Sequence, residues 1–366
     1  MSILIFFIIL GVLVISHEFG HFIVAKMSGM RVDEFGFGFP PRIWGKEYRG
    51  TLYSINAIPF GGFVKIYGED PTIDHHDSRP KESFASRPLY QQAAVVLAGV
   101  FFNFLLGWAL ISLGYIIGLP SSVAGAPVGA RVENASLVVT GLQSGSPAEK
   151  AGLHPGDELV YLVQGDRRVE DLTPEKVQSF IGASGEKEIV VGYKRGDEAH
   201  LAVAITPVSG IVSDRPAIGI SMDLVGTLHL PFFIAIREGF LTAWALILQT
   251  LGALYGLVYG LLVGKANLGG VSGPVGIVSL VGDASALGFV YLLSLTAAIS
   301  LNLAVMNLVP FPALDGGRLL LILIEAVRGR EIHPRIAHRI NTTGFALLLL
   351  LMAVLTYSDI AKLIHG

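Results

Sequence analysis

Residues 14–26, VISHEFGHFIVAK, set His17, Glu18 and His21 inside an otherwise apolar run. Folded as a helix, the run carries His17 and His21 four residues apart on one face, with Glu18 beside them. Ionisable side chains at membrane depth are costly and tend to be kept for a function. Two imidazoles at this spacing can bind one metal ion, and the neighbouring carboxylate can take a proton from a water that the metal activates. The bland reading of the same residues is a histidine pair bonding across helices.

The composition around this run is that of a membrane protein. Of 366 residues 52% are apolar and 15% charged, against roughly 25% charged in soluble domains. Mean hydropathy is +0.61. A net charge of −3 does not point to a nucleic-acid partner. With no cysteine, disulfides, thiolate metal ligands and a cysteine nucleophile are excluded. The N-terminal run lacks a basic n-region and a small-residue cleavage site, so Ser2 to about Lys26 reads as a retained spanning helix.

Crossing the hydrocarbon layer takes ~20 apolar residues. Candidate segments lie at 2–26, 90–118, 240–263, 287–309 and 343–364. Between the second and third, residues 125–225 change character and read as an inserted α/β domain. Within it, GSPAEKAGLHPGDELVYLV predicts a short helix with Ser146 as N-cap, Pro147 at the first position and Glu149 three after the cap. Gly152 closes that helix and Glu158–Val163 forms a strand. TPEKVQSFIGA (173–183) predicts a second helix capped by Thr173, and residues 188–208 a hairpin turning at Gly196–Asp197. The insert resembles a PDZ domain, the SPAEKAGLHPGD string in particular. Residues 50–67, GTLYSINAIPFGGFVKIY, read as a β hairpin or loop. The chain thus divides into 1–118, 125–225 and 226–366.

Lys and Arg set the orientation. Residues 29–89 and 318–342 are both basic connections and belong on the cytoplasmic side, which leaves the N-terminus and the insert outside. The segment 287–309 must then cross from outside to inside. Parity makes 240–263 a helix embedded in or lying on the membrane, although its hydropathy alone would let it span.

A catalytic metal needs a third protein ligand and an open position. Asp315, in NLVPFPALDGG (307–317), is the one acid between Ala284 and Ile324. Pro310 and Pro312 stop the preceding helix, so the backbone beyond Leu308 can line a cavity, and Gly316–Gly317 permit close approach of the chain. A solvated cap is the plain alternative for a single Asp here. At 1.5 Å per residue from an entry near Ile3, His17 lies ~21 Å and His21 ~27 Å into a ~30 Å core. The site is therefore close to the cytoplasmic boundary, where water reaches it. The ligand types fit zinc and also other divalent ions.

HEFGH in the first span, NLVPFPALDGG after a later one and a PDZ-like insert between them resemble the site-2 protease family of intramembrane zinc metalloproteases. The likeness is to the bacterial regulator-of-sigma-E type, with one PDZ-like unit in place of two. NLGGVSGPVGI (267–277) matches a further family string. The resemblance implies a polytopic α-helical membrane protein: four transmembrane helices, a membrane-associated β-loop and an inserted α/β PDZ domain. It implies Zn2+ on His17, His21 and Asp315, with Glu18 as general base. It further implies substrate contacts from Asn307, Asn302, and Asn56 with Gly61–Gly62 in the β-loop. The implied partners are the lipid bilayer and transmembrane substrates, either anti-sigma-factor-like proteins or signal-peptide remnants, cut in a bacterial inner membrane after a first extracytoplasmic cleavage. A non-catalytic PDZ scaffold is the competing function. A transporter finds no support, since no inverted repeat is visible.

Overall fold

The computed structural model describes residues 2–69, 80–196, 200–212, 215–264, 273–330 and 332–365. His75–His76, Asp197 and the first part of the 267–277 string lie outside these residues. In chain order the elements are α1 (Ser2–Met27), β1 (Val32–Tyr48), β2 (Thr51–Ile66), α2 (Leu89–Ile117), β3 (Leu119–Ser122), β4 (Arg131–Leu142), α3 (Pro147–Lys150), β5 (Glu158–Gln164), β6 (Arg167–Val169) and α4 (Pro174–Ser184). They continue with β7 (Ile189–Lys194), β8 (Leu201–Ile205), β9 (Val208–Val212), β10 (Arg215–Ala217), β11 (Ile220–His229), α5 (Phe232–Leu262), α6 (Pro274–Leu287), α7 (Phe289–Leu308), α8 (Asp315–Arg328) and α9 (Pro334–His365). The chain forms two units, 114–235 and the remainder.

The 114–235 unit carries a sheet in the order β3-β11-β4-β5-β7-β8, with β6 on β5. Alternate residues of its strands face inward, and Leu137, Val139, Leu162, Ile189 and Val191 close with Val177 and Phe180 of α4 into one buried cluster. Its caps are those expected. Ser146 Oγ accepts the N–H of Glu149 and Thr173 Oγ1 that of Lys176, with proline at the first helical position in both. Gly152 follows α3 at φ +84, where a side chain would be strained.

In the other unit, five helices among the described residues are long and apolar enough to cross a membrane: α1, α2, α5, α7 and most of α9. Two elements differ from the sequence reading. The basic connection 318–342 is helical through α8 and the start of α9, with Gly329 at φ +64 ending α8 between them. The short apolar helix α6 precedes α7. It begins with Pro274 at its first position, and Asp359 of α9 accepts the N–H of Gly276 at 2.8 Å, placing a carboxylate on its N-terminus. Ile9 and Leu13 of α1 pack with Val281 of α6.

The β hairpin starts earlier than expected. β1 and β2 pair antiparallel about a turn at Arg49–Gly50. The sheet then folds over itself, because Glu34–Phe37 is partnered twice, by 62–65 on one side and by 52–55 on the other. Four runs result, and 62–66 lies at an edge.

Candidate metal centre

Two helices bring His17, His21 and Asp315 together. On α1, His17 and His21 stand one turn apart with their Nε2 atoms 3.2 Å from each other. Asp315 occupies the first turn of α8, and its Oδ2 lies 3.2 Å from His17 Nε2 and 3.4 Å from His21 Nε2. The turn that delivers it depends on glycine. A Cβ on Gly316 would come within 2.2 Å of Val309 O, and one on Gly317 within 2.2 Å of Phe311 O, so α8 can fold back onto the end of α7 only without side chains there. Ala313, at φ +71, makes the sharp bend, and its N–H donates to Asn341 Oδ1 of α9.

The third wall is a stripe of α2 at four-residue spacing: Val95, Gly99 and Asn103. His21 Nδ1 donates to Val95 O at 2.8 Å, which orients the ring with Nε2 toward Asp315. Asn103 lies 3.2 Å from His17 Nδ1 through its amide, and Ser300 of α7 donates to Asn103 O. Gly99 supplies room. A Cβ there would stand 2.4 Å from His21 Nε2 and 2.6 Å from His17 Cε1.

Do these residues fit zinc? Donors at ~2.0–2.1 Å in a tetrahedral set stand about 3.3 Å apart, and the three separations of 3.2, 3.2 and 3.4 Å agree. His17, His21 and Asp315 are the one group of such donors found among the described residues. Asp315 Oδ2 is buried and faces the Nε2 atoms of both histidines. A divalent cation among these three atoms would be held by two imidazoles and a carboxylate, a ligand set that leaves a position open. The site fits the ion.

A cavity of about 230 Å³ opens on this group, lined also by Glu18, Gly62, Phe63, Val64, Glu69 and Arg318. Glu18 thus shares the cavity with the three donors and is not one of them. Gly62 brings the edge run against α1, since a Cβ on it would meet Glu18 Cγ at 3.4 Å and Val14 Cγ1 at 2.7 Å.

The other expected substrate contacts are placed differently. Asn302 accepts a hydrogen bond from Thr250 of α5 at 2.6 Å. Asn56 is buried and donates to Gly38 O, fixing the fold of the hairpin. Gly61, at φ +105, packs against the Phe39 ring. Asn307 is half-buried at the end of α7 and does not line the metal cavity. Sequence reasoning missed Val95, Gly99 and Asn103. Of these, only Asn103 leaves a signal, as a lone amide in the apolar run VFFNFLL.

One prediction follows from the α2 wall. Gly99→Ala favours the helix intrinsically by ~1 kcal/mol, so α2 will persist while the new methyl displaces both imidazoles. Zinc affinity, measured by chelator competition, will fall about 10–100-fold, the range for disturbed ligand orientation. Unchanged affinity would show that α2 does not shape the site.

The chain matches the model of peptidase family M50 over residues 5–351. A Clostridium perfringens protein provisionally named as a zinc metalloprotease is 35% identical over 350 residues, 95% of each chain. The zinc metalloprotease RasP of Oceanobacillus iheyensis is 31% identical over 445 aligned positions, covering 98% of each chain. RasP of Geobacillus kaustophilus is 29% identical, covering 99% of this chain and 98% of its own. A solved PDZ domain from a Listeria monocytogenes SdrC-like protein matches 25% of this chain and 92% of its own at 19% identity, with a TM-score of 0.21.

Proposed function

We infer the reaction from one premise: this chain belongs to peptidase family M50, the site-2 proteases, and is a multi-pass membrane zinc metalloprotease. We assign the zinc to His17, His21 and Asp315. The observation that carries this assignment is the convergence of three donor atoms, from α1 and from α8, within 4.8 Å of one another. Bound there, zinc supplies Lewis acidity toward an amide carbonyl. Glu18, in the same cavity, takes the proton of the attacking water and passes it to the leaving amine.

The substrate is a single-span transmembrane protein, such as an anti-sigma-factor-like protein or a signal-peptide remnant, already shortened by a first cut outside. A helical substrate hides its carbonyls in its own hydrogen bonds, so it must unwind before hydrolysis. The edge run 62–66 offers the extended chain a strand to join, one rung from Glu18.

The enzyme lies in a bacterial inner membrane with four crossings, α1, α2, α7 and α9, and the 114–235 unit outside as a PDZ-type size filter. Basic residues at 29–89 and 318–342 support this orientation. The course of α5 supports the count. Trp108 of α2 donates to Ile236 O of α5, and Thr250 of α5 to Asn302 of α7. Trp108 and Asn302 are each next in sequence to the point where Gly107 meets Leu301. The helix between 236 and 250 is ~21 Å long, so α5 cuts across the α2–α7 pair instead of running beside it.

The test uses one single-span substrate in two forms, with its outer domain intact and with that domain trimmed to a stub. The zinc-loaded enzyme will cut the trimmed form inside its span and spare the intact one. Equal cleavage of both would remove the filter, and cleavage of neither would remove the proposed substrate class.

A further inference from the structure

The edge run ends at Ile66, and its last rung is already occupied. Tyr67 N–H donates inward to Arg31 O at 2.9 Å. Successive residues of a strand point their backbone groups to opposite sides, so those of Ile66 point outward, with those of Val64 and Gly62. Glu69 takes both outward groups of Ile66. Ile66 N–H donates to Glu69 Oε2 at 3.3 Å, and Glu69 N–H donates to Ile66 O at 3.2 Å. One residue supplies the acceptor and the donor that an added strand would bring.

Arg318 keeps Glu69 in that position. Its Nη1 pairs with Glu69 Oε1, its Nη2 donates to Glu69 O at 3.3 Å, and its guanidinium lies 4.3 Å from the centre of the Phe84 ring. Arg318 follows Asp315 by three residues on α8, so the cap on the edge is fastened to the helix that carries a proposed zinc ligand. The pair also lines a second cavity of about 870 Å³.

We propose that Glu69 is a positioning residue, the end-stop that fixes the register of the extended substrate on the edge run. The inference rests on the strand-joining reading above. With Ile66 closed, an incoming chain can pair only with Gly62 and Val64, and Gly62 is the rung against Glu18. One substrate bond is then presented to the metal. Removing the Glu69 carboxylate frees Ile66 N–H and releases the side-chain pairing with Arg318, which opens another rung. A slip of one residue would turn every side chain to the other face, so the permitted new register is displaced by two.

The experiment maps product termini by mass spectrometry, using the full-length zinc-loaded enzyme and a trimmed single-span substrate. Wild type will cut one main bond. Glu69→Ala will add a second cut two residues away with zinc content unchanged. Glu69→Gln, whose amide oxygen still accepts from Ile66 N–H, will keep the single cut. A single, unshifted cut in Glu69→Ala, or loss of its zinc, would overturn the proposal. A proline stepped through the substrate tests the premise separately, since strand pairing makes alternate positions sensitive. No alternation would sink the strand-joining reading itself. Alternation with an unshifted cut in Glu69→Ala would sink only the end-stop.

Discussion

Glu18→Gln will keep one zinc per chain and lose about a thousandfold in the rate of peptide cleavage, the middle of the range for a general acid–base group. The substitution conserves shape. Glu18 is not one of the three converging donors, so metal content will not move. An amide cannot accept the proton of the attacking water, and it has no acid proton for the departing amine. The rate is read on a trimmed single-span substrate, alongside zinc analysis of the same preparation. Equal product from variant and wild type would take the base role away from Glu18. No product from either protein would favour a scaffold that merely recruits partners.

Much of this centre was legible in the sequence because its donors are side chains with a fixed spacing. Four residues on a helix bring His17 and His21 together, and a lone acid behind Pro310 and Pro312 marks Asp315. The caps at Ser146 and Thr173 were equally readable, since capping is decided within four residues. What α2 contributes was not. Val95 acts through its carbonyl and Gly99 through having no side chain, and neither leaves a chemical signature. The hairpin was read too short because Pro40–Pro41 and the glycines of FGFGFPPRIWGKE interrupt the alternation of β1, and its double pairing joins residues distant in the chain. Asn302 and Asn56 entered as substrate contacts through the family resemblance alone. In the fold each amide has an internal partner, Thr250 for Asn302 and Gly38 O for Asn56, a pairing that joins residues distant in the chain. Glu69 and Arg318 stand 249 positions apart, beyond any local pattern.

The central claim is that α1 and α8 hold one metal ion between them. Metal analysis of purified wild type against Asp315→Ala tests it most directly, because Asp315 is the only donor of the three contributed from outside α1. Asp315→Asn, with a neutral and weaker donor, grades the effect. Two imidazoles alone do not make the three-ligand set of a catalytic zinc site. Wild type will carry one zinc per chain, Asp315→Ala close to none after dialysis against a weak chelator, and Asp315→Asn an intermediate amount. A full equivalent of zinc retained by Asp315→Ala, with unchanged affinity, would contradict the account.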